Sequence, residues 1–193
     1  MHAPEPMTRR TFDAPRAHVE AHDHAVCVYA DHAELARAFA HFLREGIERR
    51  DLTVLVHSLP TDDDAWRFVE DAAGRGRRLR EDQIVLVSLY RDAFEASKGK
   101  IDHGHVMEVV EDLLAQARAR DRAGVRIFVD ASHVYFEEKR AQEWFAFESW
   151  LGRRLQPRAG LVCAYRRDDA ARADLLPDIL RTHSYRFEAP AEA

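Results

Sequence analysis

Hydrophobic and polar residues alternate along this chain in blocks that predict strands and helices in turn. Five short runs are almost wholly apolar and rich in β-branched residues, as expected for strands covered on both faces. They span residues 25–29, 52–56, 84–87, 125–129 and 160–165. Between these runs, apolar residues recur at helical spacing. Because strands that alternate with helices pair in parallel through right-handed crossovers, we predict an α/β fold, a three-layer α/β/α sandwich with a mainly parallel sheet.

Two helix starts are marked by residues that cap a helix N-terminus. Asp31, with Glu34 three residues later, is typical of a capping box. Thr61 and the three aspartates after it indicate where the second helix begins, because acidic side chains are favoured at the positive end of a helix. The periodic pattern places the remaining helices over about residues 102–122, 136–155 and 170–181, and a short edge strand over 184–187.

The turn after the first strand lacks the residues that bind phosphate in nucleotide-binding α/β proteins. Such a loop needs glycines so that backbone N–H groups can approach the anion. Here the turn is Tyr29-Ala30-Asp31-His32, and Asp31 would repel a phosphate from the helix N-terminus. The turn therefore predicts a nucleotide-type scaffold that does not bind nucleotide in the usual way, which favours sensing over catalysis.

Composition narrows the class of protein. The 193 residues are 46% hydrophobic and 33% charged, which is typical of a soluble globular domain. A net charge of −5 with dispersed arginines disfavours direct binding to nucleic acid. No apolar run is long enough to span a bilayer, and the N-terminus lacks the apolar core of a signal peptide. The two cysteines lie in strand-like runs, which indicates buried, reduced thiols and a cytoplasmic protein.

Polar ends flank the periodic region. Residues 1–21 are rich in proline, histidine and arginine without an apolar period, so we expect a flexible N-terminal arm. Residues 188–193 are expected to form a flexible tail. The region between them, 22–187, shows no linker or repeat and is predicted to be a single domain.

Polar side chains follow the predicted strands at the edge where open parallel sheets bind ligands. The strand ends supply Tyr29, Asp130 and Tyr165, and His133 comes three residues after Asp130. A carboxylate directly after five apolar residues needs a partner. Ser132 and His133 are a nucleophile and a base by type, but no G-x-S-x-G turn presents the serine, which disfavours a hydrolase.

Aromatic residues are concentrated in the predicted helix over 136–155. One face carries the stripe expected to pack on the sheet, whereas Phe145 and Trp150 point elsewhere. Surplus apolar surface of this kind is typical of a subunit interface or of a pocket lined by rings. Glu148 lies among these rings and needs a partner if it is buried. The candidates for an aromatic pocket or interface are Tyr135, Trp144, Phe147 and Trp150.

The pattern of histidines and cysteines does not favour a metal site. His22-Asp23-His24 and Asp102-His103-Gly104-His105 each place two histidines near an acid, but zinc needs three or four converging ligands. Such pairs are common by chance in a chain with 11 histidines. Cys27 and Cys163 are interpreted as small buried hydrophobic residues, although their strands would be neighbours in a recombinase-type sheet.

Six short motifs follow one another along the chain. They are His24-x4-Tyr29, Phe42-Leu43-Arg44-Glu45-Gly46-Ile47, Arg126, Trp144 with Glu148, Leu161-Val162-Cys163-Ala164-Tyr165, and Thr182-His183. In this order they resemble the MEDS sensory domain, of the methanogen/methylotroph, dichloromethane-regulator type, over about residues 22–187. That family is similar to the recombinase-type (RecA-like) ATPase fold without its phosphate loop. The chain departs from the family at Asp130, where a glutamate is usual, and at Ser184, where a proline is common.

The resemblance implies a domain that senses small, often hydrocarbon-like signals and takes part in regulating transcription. We therefore hypothesise a non-enzymatic sensory domain that binds a small, largely apolar ligand and relays to a separate signalling protein, with the cofactor unknown. The candidate ligand-binding residues are His24, Tyr29, Asp130, His133, Glu148, Tyr165 and His183. Two alternatives stay open. One is a degenerate nucleotide- or metal-dependent hydrolase using Asp130, His133 and Glu148; the other is an interaction module whose aromatic helix forms a homodimer or docks on a partner.

Overall fold

All the predicted apolar runs form strands of one parallel sheet. The computed structural model describes residues 15–74, 82–89, 92, 101–130, 140–156, 158–172 and 174–190. Its strands are β1 (His24–Tyr29), β2 (Leu52–His57), β3 (Ile84–Ser88), β4 (Val125–Asp130), β5 (Ala159–Arg166) and β6 (Tyr185–Arg186). They lie in the order β3-β2-β4-β5-β1-β6, and every pairing between them is parallel. The prediction of an α/β sandwich with a parallel sheet is confirmed.

Helices cover both faces of the sheet. They are α1 (His32–Arg49), α2 (Asp62–Ala73), α3 (His103–Ala119), α4 (Ala141–Leu155), α5 (Arg167–Arg172) and α6 (Leu176–Thr182). Helices α1 and α2 contribute to the hydrophobic core on one face, and α3, α4 and α6 to the core on the other. None of the helices in the described ranges is long and apolar enough to cross a membrane.

Local signals placed the starts of α1 and α2 correctly but missed a break near the C-terminus, and the helix that ends at Leu155 begins at Ala141 rather than at about residue 136. The Asp31 side chain accepts a hydrogen bond from the backbone N–H of Glu34, and Thr61 does the same for Asp64. The prediction of one helix over 170–181 is wrong, because two short helices, α5 and α6, occupy this region. Asp174 has a left-handed backbone (φ 52°) between them, and Pro177 at the start of α6 has no N–H with which to continue a helix.

Arg126 fixes α1 to the sheet through a buried ion pair. Its guanidinium lies 3.0 Å from Glu45 Oε2 and donates to the carbonyl oxygens of Phe42 at 2.8 Å and Val19 at 2.9 Å. A Cβ on Gly46 would lie 2.7 Å from Arg126 Cδ, so only glycine leaves room for the arginine. Two of the sequence motifs, at the end of α1 and the start of β4, therefore hold the fold together.

The described parts of the predicted arm and tail contact each other at the edge of the sheet. The backbone N–H of Arg16 donates to Arg186 O at 2.9 Å, and that of Glu188 donates to Arg16 O at 3.1 Å. Val19 is buried among core residues of the face that α1 covers. The proposed domain boundaries remain predictions.

Candidate functional site

Four buried polar side chains meet on the face of the sheet covered by α4 and α6. Each comes from a different segment: His24 begins β1, Cys163 lies within β5, Glu148 is on α4, and His183 directly follows α6. Their exposed fractions lie between 1% for Glu148 and 6% for His183. We call these four residues, His24, Glu148, Cys163 and His183, the His–Cys–Glu cluster.

The pairing of β1 with β5 brings the first two members together. His24 is in register with Leu161, so Cys163 lies two residues further along β5 on the same face. The segment after α6 is then tied to β1, because the backbone N–H of Ser184 donates to His24 O at 2.7 Å. This bond sets the His183 ring beside the His24 ring, with 4.2 Å between their centroids.

The donor atoms of the cluster lie close together without forming a complete set of hydrogen bonds. Cys163 Sγ is 3.5 Å from His24 Nε2, and Glu148 Oε1 is 3.6 Å from His183 Nε2. One donor atom from each of the four residues lies within 4.8 Å of all the others. Neither His183 Nε2 nor Glu148 Oε1 makes a hydrogen bond in the described structure, although both are buried.

His183 and Glu148 also make hydrogen bonds through the atoms that point away from the cluster. His183 Nδ1 lies 2.6 Å from Ile179 O, and because a carbonyl oxygen only accepts, Nδ1 carries the proton. The Tyr165 hydroxyl donates to Glu148 Oε2, and Trp144 Nε1–H in turn donates to the Tyr165 hydroxyl oxygen at 3.0 Å. These bonds orient His183 Nε2 and Glu148 Oε1 towards each other.

Burial and neighbouring charges set the protonation of the cluster. Burial, with a smaller contribution from the neighbouring His183, lowers the pKa of His24 to about 3, which makes its imidazole neutral. Burial raises the pKa of Glu148, but the neighbouring His183 and His24 side chains together outweigh burial and lower the pKa to about 2. Burial and the Glu148 charge raise the pKa of the Cys163 thiol well above its ordinary value. The cluster thus contains a carboxylate, a neutral imidazole and a thiol.

An apolar cavity of about 80 Å³ adjoins the cluster. Its walls are aliphatic side chains of β2, β3, β4 and α3 together with the rings of Trp144 and Phe147. Glu148 and Cys163 line the cavity and also belong to the cluster. The cluster therefore lies beside a largely apolar space.

Gly152→Ala is expected to lower the free energy of unfolding by about 1–3 kcal/mol, the usual cost of overpacking. Alanine is ordinarily about 0.5–1 kcal/mol better than glycine inside a helix. Here, however, the new Cβ would lie 2.5 Å from His24 Nδ1, and the His24 imidazole is packed against His183. Urea denaturation measures the change.

Gly104→Ala in α3 is a matched control, since its Cβ would lie 3.2 Å from Asp102 Oδ1 near the exposed helix start. We expect this variant to change stability by less than about 1 kcal/mol. A Gly152→Ala protein more stable than the parent would contradict the packing described here.

The structure brings together four of the seven residues predicted to bind ligand, in or beside the His–Cys–Glu cluster: His24, Glu148, Tyr165 and His183. Cys163 was missed as a site residue, because a cysteine in an apolar strand shows no sign of its partners. The prediction that β1 and β5 are neighbours is confirmed. Cys27 and Cys163 nevertheless belong to the cores on opposite faces of the sheet.

Two other predicted residues form a separate pair. The Tyr29 hydroxyl donates to Asp130 Oδ1 at 2.9 Å at the carboxyl end of the strands. Tyr29 belongs to the core on the face that α1 covers, away from the His–Cys–Glu cluster. Burial and the Asp130 charge raise the pKa of Tyr29, so its hydroxyl stays protonated and donates. His133 lies outside the described residues.

The aromatic residues of α4 divide between the cavity and the surface. Trp144 and Phe147 line the cavity. Trp150 is half-buried and stacks on His103, with 4.3 Å between ring centroids. Phe145, expected to point away from the stripe, is buried with its ring centroid 6.4 Å from that of Tyr165, because α6 covers this second side of α4. Tyr135 lies outside the described residues.

The fold defines a class: a parallel α/β/α sandwich whose first strand ends in a turn without the glycines of a phosphate loop. The chain belongs to the MEDS family, the methanogen/methylotroph, DcmR sensory domain, whose family model matches residues 23–184. The match includes β1 to β5 and the whole His–Cys–Glu cluster, and it confirms the predicted membership and a sensory role. No curated protein matches the chain. The recombinase-type topology remains a prediction.

Proposed function

We propose that this sensory domain binds a small, largely apolar molecule in the cavity beneath α3 and α4 and signals through a separate regulatory protein. The observation that supports this proposal is the composition of the cavity wall, which is aliphatic and aromatic except at Asp92, Glu148 and Cys163. A mostly apolar wall with a few polar residues is typical of a small-molecule site.

The size of the cavity limits the ligand. A volume of about 80 Å³ holds about three groups the size of a water molecule, at roughly 30 Å³ each. Very small ligands gain at most about 1.5 kcal/mol per non-hydrogen atom, so three atoms give at most about 4.5 kcal/mol, which corresponds to a Kd no lower than about 0.5 mM. Apolar contact alone therefore supports weak binding of short alkanes, haloalkanes or alcohols.

Binding should appear as a rise in melting temperature. At a ligand concentration about ten times the Kd, the expected stabilisation is about 1.4 kcal/mol, or about 3–6 °C for a chain of this size. Short alkanes, haloalkanes and alcohols, together with xenon as a probe of apolar cavities, form the panel. Val109→Phe is expected to abolish the rise, because Val109 lines the cavity and the larger ring would fill it.

Leu114→Phe on the same helix is the matched control. Leu114 packs against the same core but does not line the cavity, so this variant should keep the response. A flat response of the parent protein across the whole panel would contradict the proposal. An equal loss of response in both variants would also count against the cavity as the binding site.

The relay is proposed to pass through α3. This helix forms one wall of the cavity with Val106, Val109 and Val110, and its outer side carries the exposed acids Glu108 and Asp112. A ligand that displaces the wall would move this acidic surface, which a separate protein could contact. Slower hydrogen exchange in α3 when ligand is bound is the expected signature. A homodimer and a separate signalling or transcription-regulatory partner remain predictions.

A further inference from the structure

We propose that the His–Cys–Glu cluster binds one divalent metal ion of the zinc class. The four residues supply two imidazole nitrogens, one sulfur and one carboxylate oxygen, all buried. These are the three kinds of ligand that Zn²⁺ takes in proteins, and four protein donors complete its tetrahedral shell. The mixture of thiolate and imidazole also excludes Mg²⁺ and Ca²⁺, which prefer oxygen ligands.

The distances between donor atoms are close to those of a tetrahedral site. Bonds of about 2.0–2.3 Å to a central Zn²⁺ place neighbouring donors about 3.3–3.7 Å apart. The separation between Cys163 Sγ and His24 Nε2 is 3.5 Å, and that between Glu148 Oε1 and His183 Nε2 is 3.6 Å. Since no pair exceeds 4.8 Å, side-chain movements of about 1 Å would close the site.

Hydrogen bonds from neighbouring residues orient two of the four side chains as they do in metal sites. A metal-binding histidine usually donates its other ring N–H to a carbonyl or carboxylate, and ligating carboxylates are themselves hydrogen-bonded. His183 Nδ1–H donates to Ile179 O, which leaves the Nε2 lone pair directed into the cluster. The Tyr165 hydroxyl holds Glu148 Oε2 in the same way and leaves Oε1 directed at the same point.

A metal ion accounts for a contact that an ion pair alone does not. If His183 Nε2 carries no proton, two buried acceptors face each other at 3.6 Å; if it carries one, that distance is too long for a hydrogen bond to Glu148 Oε1. Buried polar atoms without partners are costly. A cation between them satisfies both atoms, and it displaces the proton of the Cys163 thiol to form a thiolate ligand.

The metal would lie beside the cavity, because Glu148 and Cys163 line that space. It could add to the weak affinity expected from apolar contact alone. The metal site stands on the geometry of the cluster and does not require the small-molecule ligand. Its test therefore uses metal ions alone, so that the proposed function can fail without the metal site failing, and the reverse.

The test titrates the full chain, stripped with a chelator, first with Zn²⁺ and then with Co²⁺. We expect one Zn²⁺ per chain by calorimetry, and a thiolate-to-cobalt charge-transfer band with intense ligand-field bands of tetrahedral Co²⁺. Parent protein that binds neither ion at micromolar concentrations, or that binds Co²⁺ without the charge-transfer band, would overturn the proposal.

Cys163→Ala and Cys27→Ala form a matched pair, because both cysteines are buried in central strands but on opposite faces. Cys163→Ala should lose the charge-transfer band and weaken Zn²⁺ binding by more than about 100-fold, the upper range for outer-shell changes. Cys27→Ala should bind as the parent does. A band that survives in Cys163→Ala overturns the assignment.

Tyr165→Phe keeps the test decisive if Cys163→Ala does not fold. It removes only the hydroxyl that holds Glu148, and we expect about 10–100-fold weaker Zn²⁺ binding with the charge-transfer band retained. Unchanged affinity in this variant would contradict a metal bound through Glu148.

Discussion

Replacing Arg126 with methionine is expected to lower the free energy of unfolding by about 3–5 kcal/mol. Methionine keeps much of the apolar stem but removes the guanidinium that pairs with Glu45 and donates to Phe42 O and Val19 O. Arg126 is 2% exposed and Glu45 6%, so water cannot replace the lost partner. The cost is mainly that of leaving a carboxylate and two carbonyl oxygens buried with fewer donors.

Arg50→Met is the control, because it also removes an arginine from an ion pair. The side chains of Arg50 and Asp121 are 67% and 95% exposed, and such surface pairs contribute about 0–1 kcal/mol. Urea denaturation of both variants measures the difference. A loss of less than about 1 kcal/mol in Arg126→Met would mean that the buried pair does not hold α1 to the sheet.

Glu148→Gln is expected to cost about 3–5 kcal/mol in protein kept free of metal by a chelator. Glutamine preserves the shape of the side chain and an oxygen that can accept from Tyr165. It removes the negative charge that faces His183 at 3.6 Å, where both side chains are almost completely buried. The variant therefore isolates the contribution of charge from that of packing.

Glu143→Gln on the same helix provides the comparison. Glu143 pairs with Arg140 at the exposed start of α4, so the expected change is below about 1 kcal/mol. Equal stability of the two variants would show that the charge of Glu148 does not contribute to the fold.

The helices and strands were predictable wherever local pattern decides the structure. β1 to β5 are short apolar runs, the pattern expected of strands covered on both faces. Asp31 and Thr61 each cap a helix with their own side chain. The break between α5 and α6 was missed, because the spacing of apolar residues does not indicate that Asp174 adopts a left-handed backbone conformation. The local sequence can favour a turn, but the packing that stabilises the turn depends on residues elsewhere in the chain.

The candidate site was only partly predictable. Glu148 could be named because a carboxylate among aromatic rings needs a partner if it is buried, whereas His24 and His183 were named from the resemblance to the MEDS motifs. Which residues are partners depends on strand register and on the path of the chain after α6. Cys163 shows the limit most clearly: in sequence it is a small apolar residue, and only its position opposite β1 makes it a neighbour of His24.

By itself, the amino-acid order determined the alternation of strands and helices, the absence of a glycine-rich phosphate loop and the membership of the MEDS family. The tertiary structure alone decided that His24, Glu148, Cys163 and His183 meet, and that Tyr29 and Asp130 form a separate pair. The reason is physical. Secondary structure follows from interactions within a few residues, whereas a buried site is assembled from segments more than 100 residues apart, such as those that hold His24 and Cys163.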